Sequence, residues 1–149
     1  MQKQRRTKAA KLPLTEDERV ALRSHRLTVS CLRSMDAVAL SVTCGFPIKR
    51  AEYLVAMVQF QGLDSVGPAS AQDLWDVGCR SLPDLAKRDP LELYETLCRR
   101  TGIRLDPCVE DVLRCAVAQV RFPDLPDECR NWWYWIPQRG RHHIDLKKR

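Results

Sequence analysis

No stretch of the chain approaches the roughly 20 consecutive apolar residues of a membrane span, so no spanning helix is expected. The N-terminus is basic, but no apolar run follows it, and a secretory signal is not expected either. The expected compartment is the cytoplasm. The seven cysteines, Cys31, Cys44, Cys79, Cys98, Cys108, Cys115 and Cys129, include no C-x-x-C pair, and their number is odd. That argues against a disulfide framework and against a zinc ribbon. They are expected as core thiols, which behave as small hydrophobes. Cys108 and Cys115 fall on one helix face, and with Cys98 or a histidine they form a set that zinc chemistry could use; the adjacent His142 and His143 do not by themselves define a site. No metal or cofactor is expected. No segment alternates apolar and polar residues as a half-buried strand would, so the expected class is all-α.

The chain has 149 residues and is 44% hydrophobic, enough for one domain with its own core. The net charge of +6 is unevenly placed. Lys3, Arg5, Arg6, Lys8 and Lys11 open the chain with no acid among them, and Arg139, Arg141, Lys147, Lys148 and Arg149 close it against Asp145. The body between is near neutral. This predicts a flexible basic arm over 1–13, a compact helical domain over 14–135, and a flexible basic tail over 136–149. Such tails hold anionic polymers by counterion release or simply keep a protein soluble.

Helix signals are frequent. Thr15 with Glu18 reads as a capping box. A second helix is expected over 34–43, with Met35, Val38, Ala39 and Val42 as its apolar face. Cys44-Gly45-Phe46-Pro47 breaks it, and a third helix runs from Ile48 to about Phe60. Ser81 caps a short helix, and the Asp89-Pro90 and Asp106-Pro107 pairs each start a longer one. The last places Val109, Val112, Leu113, Ala116, Val117 and Val120 on one face.

The stretch 63–78, "LDSVGPASAQDLWDVG", is a tight turn running into a helix. Val66-Gly67-Pro68 is the turn, Pro68 suits the first helical position, and Gly78 suits the left-handed residue that ends the helix. "GFPIKRAEYL" repeats part of it, since aligning Ala51 with Ala71 aligns Leu54 with Leu74. Two hairpins sharing the helix between them are expected from this match; chance is the competing explanation. A turn that points the first amides of a helix outward favours an anion. The candidate DNA-backbone contacts at the second turn are Ser65, Val66, Gly67, Ala69 and Ser70. At the first they are Gly45, Lys49 and Arg50, whose charges oppose the helix dipole unless a phosphate or water meets them. Contacts of this kind position DNA without reading bases.

"NWWYWIPQRGRHH" interleaves aromatics with Arg139, Arg141, His142 and His143. It would either stack on exposed bases or anchor the C-terminus through Trp132 and Trp133. Asp84, downstream of the turn, is the position where a glycosylase of hairpin type would carry its carboxylate; a place in an early helix turn accounts for it more simply. No enzymatic activity is expected.

"FQGLDSVGPASAQDLWDVGCRSLPDLAKRDPLELYETLCRRTGIRLDPCVEDVLRCAVAQV" followed by "NWWYW" resembles the helix-hairpin-helix family known as pathogenicity-locus or mitomycin-resistance proteins. The resemblance covers roughly residues 28–135 and is most specific at "SLPDL", "DPCVEDVLRCAV" and the tryptophan pair. It implies a small all-helical bacterial protein with a helix-hairpin-helix core, DNA as partner, and an association with repair. It implies no enzymatic activity. The hairpin maps to Ser65-Val66-Gly67, with Pro68 and Ala71 following. Ser65 stands where the general motif favours glycine, and Ala69 where a lysine or arginine often meets phosphate. The expected function is therefore sequence-nonspecific DNA binding, with a repair protein as a further partner. A helical adaptor whose hairpins meet protein is the alternative.

Overall fold

Seven α-helices follow one another in the computed structural model, which describes residues 8–146. They are Glu16–Ser24 (α1), Ala37–Cys44 (α2), Ile48–Gln61 (α3), Pro68–Asp76 (α4), Leu82–Ala86 (α5), Pro90–Thr101 (α6) and Pro107–Arg121 (α7). Short 3₁₀ segments cover Val29–Ser34, Asp127–Arg130 and Trp132–Gln138. No strand occurs among the described residues, so the all-α expectation holds.

Most boundaries are chemical. Thr15 and Glu18 close a reciprocal capping box on α1. Asp36, Ser81, Asp89 and Asp106 each accept an amide from the first turn of α2, α5, α6 and α7. Pro68, Pro90 and Pro107 open α4, α6 and α7, where a missing N–H costs nothing. Gly78 follows α4 at φ +94, the left-handed conformation expected of it.

Two helices organise the packing. α3 is apolar on opposite sides. Leu54 and Val58 join α1 and α2 in one cluster, while Met57 and Phe60 join α4, α5, α6 and α7 in the main core. α7 likewise faces the main core with Leu113, Ala116 and Val117. Its Cys115 and Ala118 meet Leu125, Cys129 and Trp135 of the C-terminal segment. Ala51 and Ala71 are fully buried, as are Leu54 and Leu74, so the two aligned pairs share a packing role.

One expectation is corrected. The apolar face assigned to α2 points outward: Val38 is 63% and Val42 80% exposed, and Leu40 is the fully buried residue. The Asp36 cap starts the helix at Ala37, and packing against Leu54, Val55 and Val58 of α3 takes Leu40 rather than Val38 or Val42. The described parts of the two terminal segments make contacts with the body. Residues 8–13 run along α3, with the Lys11 backbone exchanging two hydrogen bonds with the Gln61 amide, at 2.9 and 2.8 Å. Residues 136–146 are fastened to α7 by Arg139–Asp111 and by Arg114, which donates to the carbonyls of Arg141 and His143. Lys3, Arg5, Arg6, Lys147, Lys148 and Arg149 lie outside the described residues.

Candidate functional site

The turn between α3 and α4 is fixed from two sides. Buried Gln119 of α7 accepts from the Asp64 amide at 2.9 Å and donates to its carbonyl at 2.8 Å. Ser65 adopts φ +66, the left-handed conformation that favours glycine. Its hydroxyl donates to the Arg130 carbonyl at 2.9 Å and accepts from the Trp132 amide at 3.2 Å. Val66 then plugs the core, fully buried. Gly67 and Pro68 bring the chain into α4.

No side chain caps α4 or α3, unlike the other five helices. The first amides of an α-helix have no intrahelical acceptor. At α4 those amides belong to the expected contacts Gly67, Ala69 and Ser70, with Ala69 exposed and the other two half-buried. Two lysines of the N-terminal segment lie beside this turn. Lys8 Nζ donates to the Val66 carbonyl at 2.9 Å. Lys11 and Ala69 line one cleft of about 440 Å³ together with Tyr53, Met57, Gln61 and Gln72. The acid beside the turn, Asp64, is paired with Arg130 at 3.7 Å.

The first turn is organised differently. Gly45 is left-handed, at φ +73, and ends α2 with its amide on the Ser41 carbonyl. Lys49 is exposed in the first turn of α3. Arg50, expected as a phosphate contact, is instead committed to protein. Its fork meets both oxygens of Glu18 at 2.8 and 2.9 Å and the Pro13 carbonyl at 2.7 Å. The Arg50 fork and the Thr15 amide hold the Glu18 carboxyl down to about 2. The two turns sit at opposite ends of α3. At 1.5 Å per residue its 14 residues put them about 21 Å apart. Gly45 and Lys49 are therefore not brought together with Gly67, Ala69 and Ser70.

The aromatic run serves two ends. Trp135 is fully buried and donates to the Cys129 carbonyl at 2.8 Å, so it anchors the segment. Trp132 is half-buried, and Trp133 is 57% exposed. Nothing in the sequence placed this run beside the Ser65 turn, or Lys8 and Lys11 beside α4; the partners lie 50 or more residues apart.

The remaining candidates are accounted for by local bonding. Both oxygens of Asp84 are engaged, one by Arg88 Nε at 3.0 Å and the other by the Arg80 amide at 2.9 Å. The Arg88 guanidinium leads in holding its carboxyl below the ordinary range. Arg139 is spent on Asp111, and Arg141 pairs with Asp145 at 3.6 Å. Cys98, Cys108 and Cys115 do not converge. The group of three or more metal-type donors found among the described residues is Asp89, Glu92 and His142. Burial pushes the Cys115 thiol up to about 11, as expected for a core thiol.

Residues 54–141 match the family described as "Pathogenicity locus", Cdd1. The chain belongs to the Cdd1 family. The Cdd1 match takes in the Ser65 turn, the helices after it and the aromatic segment as far as Arg141. It leaves out the first turn with Gly45, Lys49 and Arg50. A relative, the mitomycin resistance protein McrB of Streptomyces lavendulae, is 39% identical over 79 residues, covering 53% of this chain and 71% of its own. No solved structure matches.

Proposed function

We propose that α3, the turn at 62–67 and α4 form a helix-hairpin-helix module that holds DNA by its phosphate backbone. Binding is independent of sequence, and the proposed setting is DNA repair, with mitomycin resistance carried over from the relative's name. One observation carries this reading: an uncapped helix start, presented by a rigid left-handed turn, lies beside two lysines of the N-terminal arm. The amides of Gly67, Ala69 and Ser70 supply donors, and Lys8 and Lys11 supply the charge that the hairpin lacks. Gly45 and Lys49, at the far end of α3, offer a second, separate phosphate contact. Arg50 and Arg139 take no part, because each is bound to a carboxylate. No catalytic residue is proposed.

The Lys8→Glu/Lys11→Glu double variant tests this by fluorescence anisotropy on unrelated duplexes of equal length. The expected result is a loss of about tenfold or more on every sequence at low salt, from two lost phosphate contacts and added repulsion. Unchanged affinity sinks the assignment of the site. The adaptor reading is favoured by one feature, the exposed valines of α2, Val38 and Val42. Val42→Lys would abolish partner capture under that reading and leave DNA affinity intact.

A further inference from the structure

We infer that Trp133 is a stacking platform for an unpaired base, so that the module takes DNA carrying a single-stranded or disrupted stretch in preference to intact duplex. This rests on the DNA reading of the α3–α4 turn. The Ser65 hydroxyl holds the Trp132 amide at 3.2 Å and the Arg130 carbonyl at 2.9 Å, which fastens the start of the aromatic segment to the turn itself. Trp133 meets Trp132 edge-on, with ring centroids 5.9 Å apart. An aromatic surface is therefore carried beside the turn that leads into α4, whose first amides are the proposed phosphate donors.

That surface is exposed but not loose. Trp135 is buried and hydrogen-bonded, Tyr134 packs edge-on against it at 5.0 Å, and the Gln138 amide exchanges two hydrogen bonds with the Asp145 backbone. Arg139 closes the segment on fully buried Asp111. Within this frame Trp132 and Tyr134 are half-buried and Trp135 is fully buried, while Trp133 has only its edge contact with Trp132 and is otherwise exposed. A base that stacks on a held ring loses less freedom than one that must order it first. Stacking tolerates any base, because every base has a π-face, which agrees with a phosphate grip that reads no sequence. A paired base is already stacked inside its helix and gains nothing from the ring, so the preference follows from the chemistry.

The test uses the full chain and two fluorescein-labelled probes, a duplex and the same duplex interrupted by a short single-stranded gap. Trp133→Ala should weaken binding to the gapped probe about tenfold while changing the duplex by less than about twofold. Trp133→Phe should restore most of the loss, since it keeps a π-face. Equal loss on both probes overturns the platform, as does unchanged affinity for both, the result expected if Trp133 meets a protein. Failure of the wild-type chain to bind either probe overturns the DNA reading beneath it, which separates the two claims.

Discussion

Ser65 pays a backbone penalty and recovers it through its hydroxyl. A non-glycine residue in the left-handed region costs about 1–2 kcal/mol, and Ser65 stands there at φ +66. Its side chain makes two hydrogen bonds to the C-terminal segment. Ser65→Ala keeps the strain and loses both bonds, so urea unfolding should report a destabilisation of about 2 kcal/mol. Ser65→Gly loses the same bonds but relieves the strain, and should be the milder variant by about 1 kcal/mol. A glycine variant less stable than the alanine variant would contradict this account. Glu18 gives a second expectation at the same scale. Its folded carboxyl is held near 2, below the ordinary 4.5. The stability it contributes is therefore complete above about pH 4.5 and is lost as pH falls toward 2. Glu18→Gln should be less stable than wild type at pH 7, with the difference closing over that window in urea melts. The left-handed demand at position 65 was readable from the motif. The use made of the hydroxyl was not, because its partners are 65 and 67 residues away.

Among the elements, α7 shows how an amphipathic pattern can be right and incomplete. The stripe of Leu113, Ala116 and Val117 is buried as its spacing predicts. The opposite face, with Glu110, Asp111, Arg114 and Gln119, reads as solvent-facing and is equally buried. The C-terminal segment covers it, and buried charge persists there because each group is paired: Arg114 with Glu110 at 2.9 Å, Arg139 with Asp111 at 2.5 Å. Arg114→Met leaves Glu110 without its charged partner, with only the Gly140 amide still donating to it, and the carbonyls of Arg141 and His143 without a donor. A loss of about 3–5 kcal/mol is expected, together with faster amide exchange over 136–146 than over α3. Protection of that segment equal to wild type would show that Arg114 is not its clasp. Caps and prolines made the helix starts legible, since those signals are local. The inward face of α2 is not legible in this way, because its apolar residues run nearly all round the helix and packing against α3 decides which of them turn inward.

At the scale of the molecule, charge is what the structure redistributes. Read along the chain, the cations collect in two tails and in Lys49 and Arg50. In the fold, Arg50, Arg139 and Arg141 are paired with carboxylates, and Lys8 and Lys11 are brought to the uncapped start of α4. The Cdd1 match begins at residue 54, so it shares the second turn and not the first. Both facts support the proposal of a grip at the α3–α4 turn, with the arm providing its charge. The most direct measurement is the salt dependence of binding to two unrelated duplexes, for wild type and for the Lys8→Gln/Lys11→Gln variant. The logarithm of affinity should fall linearly with the logarithm of salt, identically for both sequences, and the variant's slope should be shallower by about two. No binding at low salt, or the same slope in the variant as in wild type, would contradict the account.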